Sequence, residues 1–226
     1  MNKRAMKMTI DSMPRRCKPL FLFLFLLLAP AAQAGESLPG CLALAATDPD
    51  QAQAAASAWL RRQPQSPDAM QCRATALFNV GDFVAAAVQF SRLARATTPE
   101  KAAAVFYDKA AWAYMRAQQN AAAEQELINA IEHDPGNRQY RQDHAVALMN
   151  KERYWDAVKE LDYVLQHTPR AAEALALRAD CWLRLGQGSR ARHDAKLALE
   201  LQPQQELAQA IINKLAAASD AAEDTP

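Results

Sequence analysis

A period of 34 residues is the feature of this sequence that most restricts its fold. From Ala172 onward, small and large apolar residues recur at helical spacing, Gly186 interrupts them, a second helical stretch follows, and Pro203 closes the unit. Steps of 34 residues towards the N-terminus reach the same pattern closed by Pro169 and then by Pro135. Helical spacing that is broken by a turn and ended by proline predicts a pair of helices in each copy. The chain is therefore expected to be a stack of helix pairs.

Small residues recur at one position in the first helix and at one position in the second helix of every unit. These residues are Ala74, Ala111, Ala145 and Ala179 in the first helices, and Ala86, Ala123, Ala157 and Ala191 in the second helices. The large residues that follow in the first helices are Leu77, Tyr114, Leu148 and Trp182. Together with the period and the closing prolines, this pattern resembles the tetratricopeptide repeat (TPR). The resemblance implies an all-α fold, a right-handed superhelix of stacked antiparallel helix pairs.

The period and the changes in composition divide the chain into segments. The prediction is a signal peptide at 1–34, an N-terminal half-repeat or cap at 35–66, four repeats at 67–100, 104–137, 138–171 and 172–203, a capping helix at 204–217, and a disordered acidic tail at 218–226. Residues 100–103 fall outside strict spacing, and they extend either a connection or the following helix.

The first 34 residues have the composition of a secretory signal peptide. A basic region ends at Lys18, an apolar run spans 20–29, and Ala32-Gln33-Ala34 offers a cleavage site before Gly35. The run is shorter than the roughly 20 residues that a membrane-spanning helix needs. The pair Arg15-Arg16 is a weak twin-arginine signal, and Cys41 is a weak candidate for lipidation. We therefore expect an exported protein, periplasmic or secreted, with no stable membrane span after cleavage.

Charge excludes a nucleic-acid partner. Without residues 1–34 the chain carries 20 basic and 24 acidic side chains, whereas nucleic-acid binding requires a basic surface. The signal peptide also removes Cys17, so three cysteines remain in a compartment that permits disulfides. We hypothesise a bridge between Cys41 and Cys72, because they lie in neighbouring units and helices of a stack approach closely. Cys181, beside Trp182, is expected to be a small buried apolar residue.

No sequence motif indicates catalysis. The four histidines are scattered over different units, there is no phosphate-binding glycine loop, no zinc-ligand spacing and no nucleophile elbow. The sequence therefore predicts no enzyme, no cofactor, no metal site and no small-molecule substrate.

The TPR resemblance implies that the first helices line a concave groove for a peptide or a partner helix. The matching positions are Phe78, Asn79, Asp108, Trp112, Met115, Arg116, Gln142, Met149, Asn150, Asp180 and Arg184, with Gln71 and Thr75 at the N-terminal end. Gln71, Thr75 and Gln142 stand where TPR proteins that grip acidic chaperone tails have cations or amides, so that partner is not expected. Phe78 and Trp112 either anchor a ligand or pack against neighbouring helices.

The sequence-based hypothesis is an exported TPR scaffold for protein or peptide binding that assists assembly of a bacterial envelope complex. The alternative is a structural or accessory subunit of an envelope enzyme or of a polysaccharide-export machine. Both follow from a TPR array with a signal peptide, and the sequence itself names no partner.

Overall fold

The computed structural model describes the backbone of residues 37–223 and the side chains of residues 37–218. The predicted signal peptide lies outside the described residues. The helices of this region are α1 Leu38–Thr47, α2 Pro49–Arg62, α3 Pro67–Val80, α4 Phe83–Ala96, α5 Glu100–Arg116, α6 Asn120–His133, α7 Arg138–Asn150, α8 Tyr154–His167, α9 Ala172–Arg184, α10 Gly188–Leu201 and α11 Glu206–Glu223. Residues 37–223 contain no strand, which confirms the all-α prediction.

The helices form successive antiparallel pairs from α1/α2 to α9/α10, and α11 packs on the last pair. Each second helix also contacts the first helix of the next pair, so the pairs stack in chain order. This arrangement confirms the predicted TPR-like superhelix.

The turns inside the four regular pairs share one hydrogen-bonding pattern. After α3, the amide of Asp82 donates to Leu77 O at 3.0 Å, and that of Gly81 donates to Phe78 O at 3.1 Å. These two bonds satisfy carbonyls that the helix end leaves unpaired, and they need a left-handed residue between the helices. Gly81 and Gly186 supply it at φ 91° and 73°, whereas Gln118 and Glu152 adopt φ 60° and 58° at the equivalent positions of the middle pairs.

Alanine is what lets the paired helices pack closely. All eight recurring alanines have no exposed surface. The large residues pack between helices, so that Leu77 and Phe90 share a cluster with Ala110 and Ala113 of the next pair. Each unit therefore completes its core only against its neighbour.

The structure differs from the predicted segmentation in two places. The N-terminal unit has a first helix of its own, α1, so residues 38–62 form a short helix pair rather than a half-repeat. The last helix continues through residues 218–223, part of the segment predicted to be disordered, and ends at Glu223. Of the two alternatives for residues 100–103, the structure has the second, because they form the first turn of the 17-residue α5.

The N-terminal pair is tied to the next one by two contacts. Cys41 in α1 and Cys72 in α3 form a disulfide with a Cα–Cα distance of 5.8 Å, and both residues are fully buried. The Asn79 side chain donates a 2.8 Å hydrogen bond to the carbonyl of Ala45. Cys181 is a buried free cysteine, and burial raises the pKa of its thiol to about 12.

Ala157→Leu tests the close packing of paired helices. The added side chain has no space at a position without exposed surface, so we expect a loss of about 1–3 kcal/mol in the free energy of unfolding. Urea unfolding measures the loss, and Ala210→Leu on the exposed face of α11 is the matched control. Equal stability of both variants and the parent protein would contradict the assigned packing.

Candidate functional site

The first helices α3, α5, α7 and α9 form the candidate groove. Successive first helices contact one another, and residues one unit apart repeat the same position on this surface. Thr75, Trp112 and Asp180 share one such position, while Asn79, Arg116, Asn150 and Arg184 share another. The repeat therefore fixes where a groove residue lies, but the residue type changes from one unit to the next.

The structure places the predicted groove residues in three environments. Trp112 is 41% exposed, and Asn79, Arg116, Asn150 and Arg184 are also exposed. Half-buried residues are Phe78, Asp108, Met149 and Asp180. Met115 and Gln142 are buried, at 8% and 6% exposure, so these two were wrongly predicted as surface for a partner.

Several of the accessible residues are already engaged within the chain. The Arg116 guanidinium lies 5.1 Å from the centre of the Phe83 ring, and Arg184 Nε lies 3.4 Å from Asp180 Oδ1. The Phe78 ring meets the Phe83 ring edge to face at 5.3 Å. Phe78 therefore combines both expected roles, since it packs against a neighbouring helix and still faces the groove.

A cavity of about 300 Å³ opens between α3 and α5 at the N-terminal end of the groove. Its lining residues are Thr75, Phe78, Phe90, Asp108, Lys109 and Trp112. Three aromatic rings and one carboxyl group thus converge on a concave space that the predicted groove contains. A larger cavity of about 660 Å³ lies between α10 and α11, but none of the predicted groove residues lines it.

A pair of carboxyl groups lies beside this cavity. Asp108 in α5 meets Asp143 in α7, which is only 3% exposed and accepts hydrogen bonds of 3.2 and 3.4 Å from Gln139 Nε2. Asp108 Oδ1 is buried and has no hydrogen-bond partner. Burial, followed by repulsion from Asp143, raises the pKa of Asp108 to about 7, and burial also raises the pKa of Asp143.

The sequence analysis missed Asp143. One period after Asp108 comes Gln142, and Asp143 is one position further along the chain. The twist between successive helix pairs brings this adjacent position against Asp108, and a one-dimensional repeat does not encode that twist. The only available signal was an acidic residue next to a groove position.

The histidines have structural surroundings. His133 and His167 each place Nδ1 2.8 Å from the carbonyl oxygen four residues earlier, at the ends of α6 and α8. His144 lies between Glu124 and Glu160, and His193 is exposed on α10. Within residues 37–223, no group of three or more His, Cys, Asp or Glu side chains is arranged to hold a metal ion.

Comparison with known families identifies the repeat. A tetratricopeptide repeat family model matches residues 40–102 and 143–206, which together exceed half of the chain. The chain belongs to the TPR family. The stretch between the two matches contains most of α5, including Asp108 and Trp112, so the cavity lies partly in the segment that departs most from the TPR pattern.

Solved TPR structures share the fold at low sequence identity. YrrB, described as a TPR protein with an unusual peptide-binding site, is 16% identical with a TM-score of 0.63, over 78% of this chain and 90% of YrrB. MamA (41-end) from Desulfovibrio magneticus RS-1 is 15% identical with a TM-score of 0.64, over 77% and 97%. The Arabidopsis OM64 TPR domain is 19% identical with a TM-score of 0.51, over 53% and 98%. No curated protein sequence matches the chain.

Two further properties follow from the TPR architecture. As is typical of TPR proteins, the chain is built as an interaction scaffold, with its exposed side chains presented on a rigid helical frame. No helix within residues 37–223 is long and apolar enough to cross a membrane.

Asp108→Asn tests the buried carboxyl pair. Because the pKa of Asp108 is raised from 3.8 to about 7 against Asp143 and despite Lys109, its ionisation destabilises the fold increasingly between about pH 4 and about pH 7. The variant should therefore match the parent near about pH 4 and exceed its free energy of unfolding by about 1–3 kcal/mol near about pH 8.

Denaturant unfolding at the two pH values measures this difference. Asp68→Asn, which removes an exposed carboxylate from α3, is the control and is expected to change stability by less than about 0.5 kcal/mol. If Asp108→Asn has no pH-dependent advantage, the Asp108 carboxyl group ionises in contact with water.

Proposed function

We propose that this protein is an exported scaffold that binds an extended peptide segment of a partner protein in the α3–α9 groove and assists assembly of a bacterial envelope complex. The observation that carries peptide binding is the cavity beside Trp112, where an indole ring that is 41% exposed stands over a concave, partly apolar space. Exposed aromatic residues at such a position dominate the binding energy of many interfaces.

The mixed lining of the groove supports an extended peptide as the ligand. Polar and charged side chains such as Asn150 and Arg184 alternate with apolar ones such as Met149 along the first helices. A peptide backbone needs hydrogen-bond partners along its length, whereas an apolar anchor needs only one cavity. YrrB, whose fold this chain shares, is described as having a peptide-binding site, which favours the same use of the fold here.

The export proposal rests on the N-terminal sequence and on the cysteines. The Cys41–Cys72 geometry suits a disulfide, and such bonds persist in the periplasm but not in the cytosol. The fully buried position of both sulfur atoms also favours a bridge over lipidation of Cys41. A periplasmic location in turn supports a partner in the cell envelope.

Affinity purification from an envelope extract tests the groove. The double variant Trp112→Ala and Arg116→Ala removes the exposed indole and the guanidinium over Phe83, so we expect it to lose most of the recovered partner, by about tenfold or more. The control is Trp155→Ala with Arg190→Ala, which alters an exposed indole and a guanidinium on second helices. Retention of every partner by the groove variant would refute the proposed binding surface.

Thiol counting tests export. Protein purified from the periplasm without reductant should contain one free thiol, that of Cys181, and a bridged Cys41–Cys72 pair. Alkylation under denaturing conditions followed by mass spectrometry reports the count. Three free thiols in the mature chain would contradict the disulfide and weaken the case for an oxidising compartment.

A further inference from the structure

We propose that the cavity between α3 and α5 receives a lysine or arginine side chain of the bound peptide, whose charge pairs with Asp108 and Asp143. This inference rests on the proposed peptide-binding function and specifies the chemistry of the ligand. It commits the site to a basic peptide rather than to the acidic or purely apolar segments that a TPR groove is also able to accommodate.

The aromatic walls suit the stem and the charge of a basic side chain. Phe78, Phe90 and Trp112 line the cavity with ring faces and edges. The methylene groups of lysine and arginine pack on apolar surfaces, and their cationic ends are attracted to aromatic faces. The chain itself gives an example at the cavity, where Lys109 Nζ lies 5.9 Å from the centre of the Phe90 ring.

The carboxyl groups provide the charge that a cation requires. Asp108 lines the cavity, and its buried Oδ1 has no hydrogen-bond partner. A buried polar atom without a partner costs free energy, and a guanidinium or ammonium donor would remove that cost. Asp143, packed behind Asp108, places a second acidic group within the same site.

The surrounding groups leave the site acidic. Lys109 opposes the effect of Asp143 on Asp108, but its influence is smaller than that of burial or of Asp143 itself. On the α7 side, Glu173 adds negative charge near Asp143, and the Tyr140 hydroxyl is neutral at physiological pH. A peptide carboxylate in this cavity would face repulsion from two acidic groups, whereas a basic side chain meets complementary charge.

A double-mutant cycle on selected peptides tests the inference. Peptides are selected from a phage-displayed random library on the full chain at about pH 8, and titration calorimetry measures their affinities. We expect one basic residue per peptide whose neutral analogue, norleucine for lysine or citrulline for arginine, binds about tenfold more weakly. Asp108→Asn should weaken the parent peptide by the same factor and leave the affinity of the neutral analogue unchanged.

The matched control is Asp68→Asn, which removes the same charge from an exposed site in α3 and should retain full affinity. Because Asp108→Asn is expected to fold at least as stably as the parent protein, its loss of binding would not reflect unfolding. If peptides bind but show no coupling between their basic residues and Asp108, the basic-ligand inference is wrong and peptide binding stands. If no peptide is selected, both proposals fail.

The pH dependence of binding provides an independent readout. With the pKa of Asp108 near 7 in the free protein, the peptide should bind about fivefold or more tightly at about pH 8.5 than at about pH 5.5. The groups that face the Asp108 carboxyl are Asp143 and Lys109, and Asp143 titrates in the same sense. In Asp108→Asn this pH dependence should fall, and an unchanged profile would overturn the assignment of the charge partner.

Discussion

The close approach of paired helices over alanine is the constraint on which the rest of this structure depends. Ala123 and Ala157 have no exposed surface and leave no room for a larger side chain at the contact. Since the helices of each pair are held at short range, the large residues are forced outward into the space between pairs, where they form the stacking core. The groove is thus a by-product of packing. Its shape is set by residues that never touch a ligand.

The sequence predicts the packing well because packing is periodic, and it predicts the site poorly because the site is not. Ala157, Trp182 and Pro169 repeat at fixed spacing and announce their roles. The contact between Asp108 and Asp143 spans two helices that are offset by one residue from the period, so it depends on the twist between pairs. Likewise, Met115 and Gln142 occupy groove positions by spacing, but neighbouring helices cover them.

The middle units depart from the ideal repeat in their turns as well as in the groove. Glycine is the residue that adopts a left-handed conformation at least cost, yet Gln118 and Glu152 adopt it in the second and third regular pairs. The stacked helices on either side, together with two hydrogen bonds in each turn, impose this conformation. Conserving the geometry of the stack therefore takes precedence over local backbone preference, while the groove side chains remain free to diverge. The same division explains why α5 fits the family pattern poorly but the fold well.

The final helix has a consequence for how an array of this kind is able to grow. Ala208 and Ile211 of α11 are buried against the α9/α10 pair, whose apolar face would otherwise accept another helix pair. With that face occupied, a second molecule has no equivalent surface on which to continue the superhelix. Lengthening of the groove by duplication is then confined to the interior of the stack, where an inserted unit meets matching faces on both sides. The number of subsites along the groove is accordingly a property of the gene rather than of assembly.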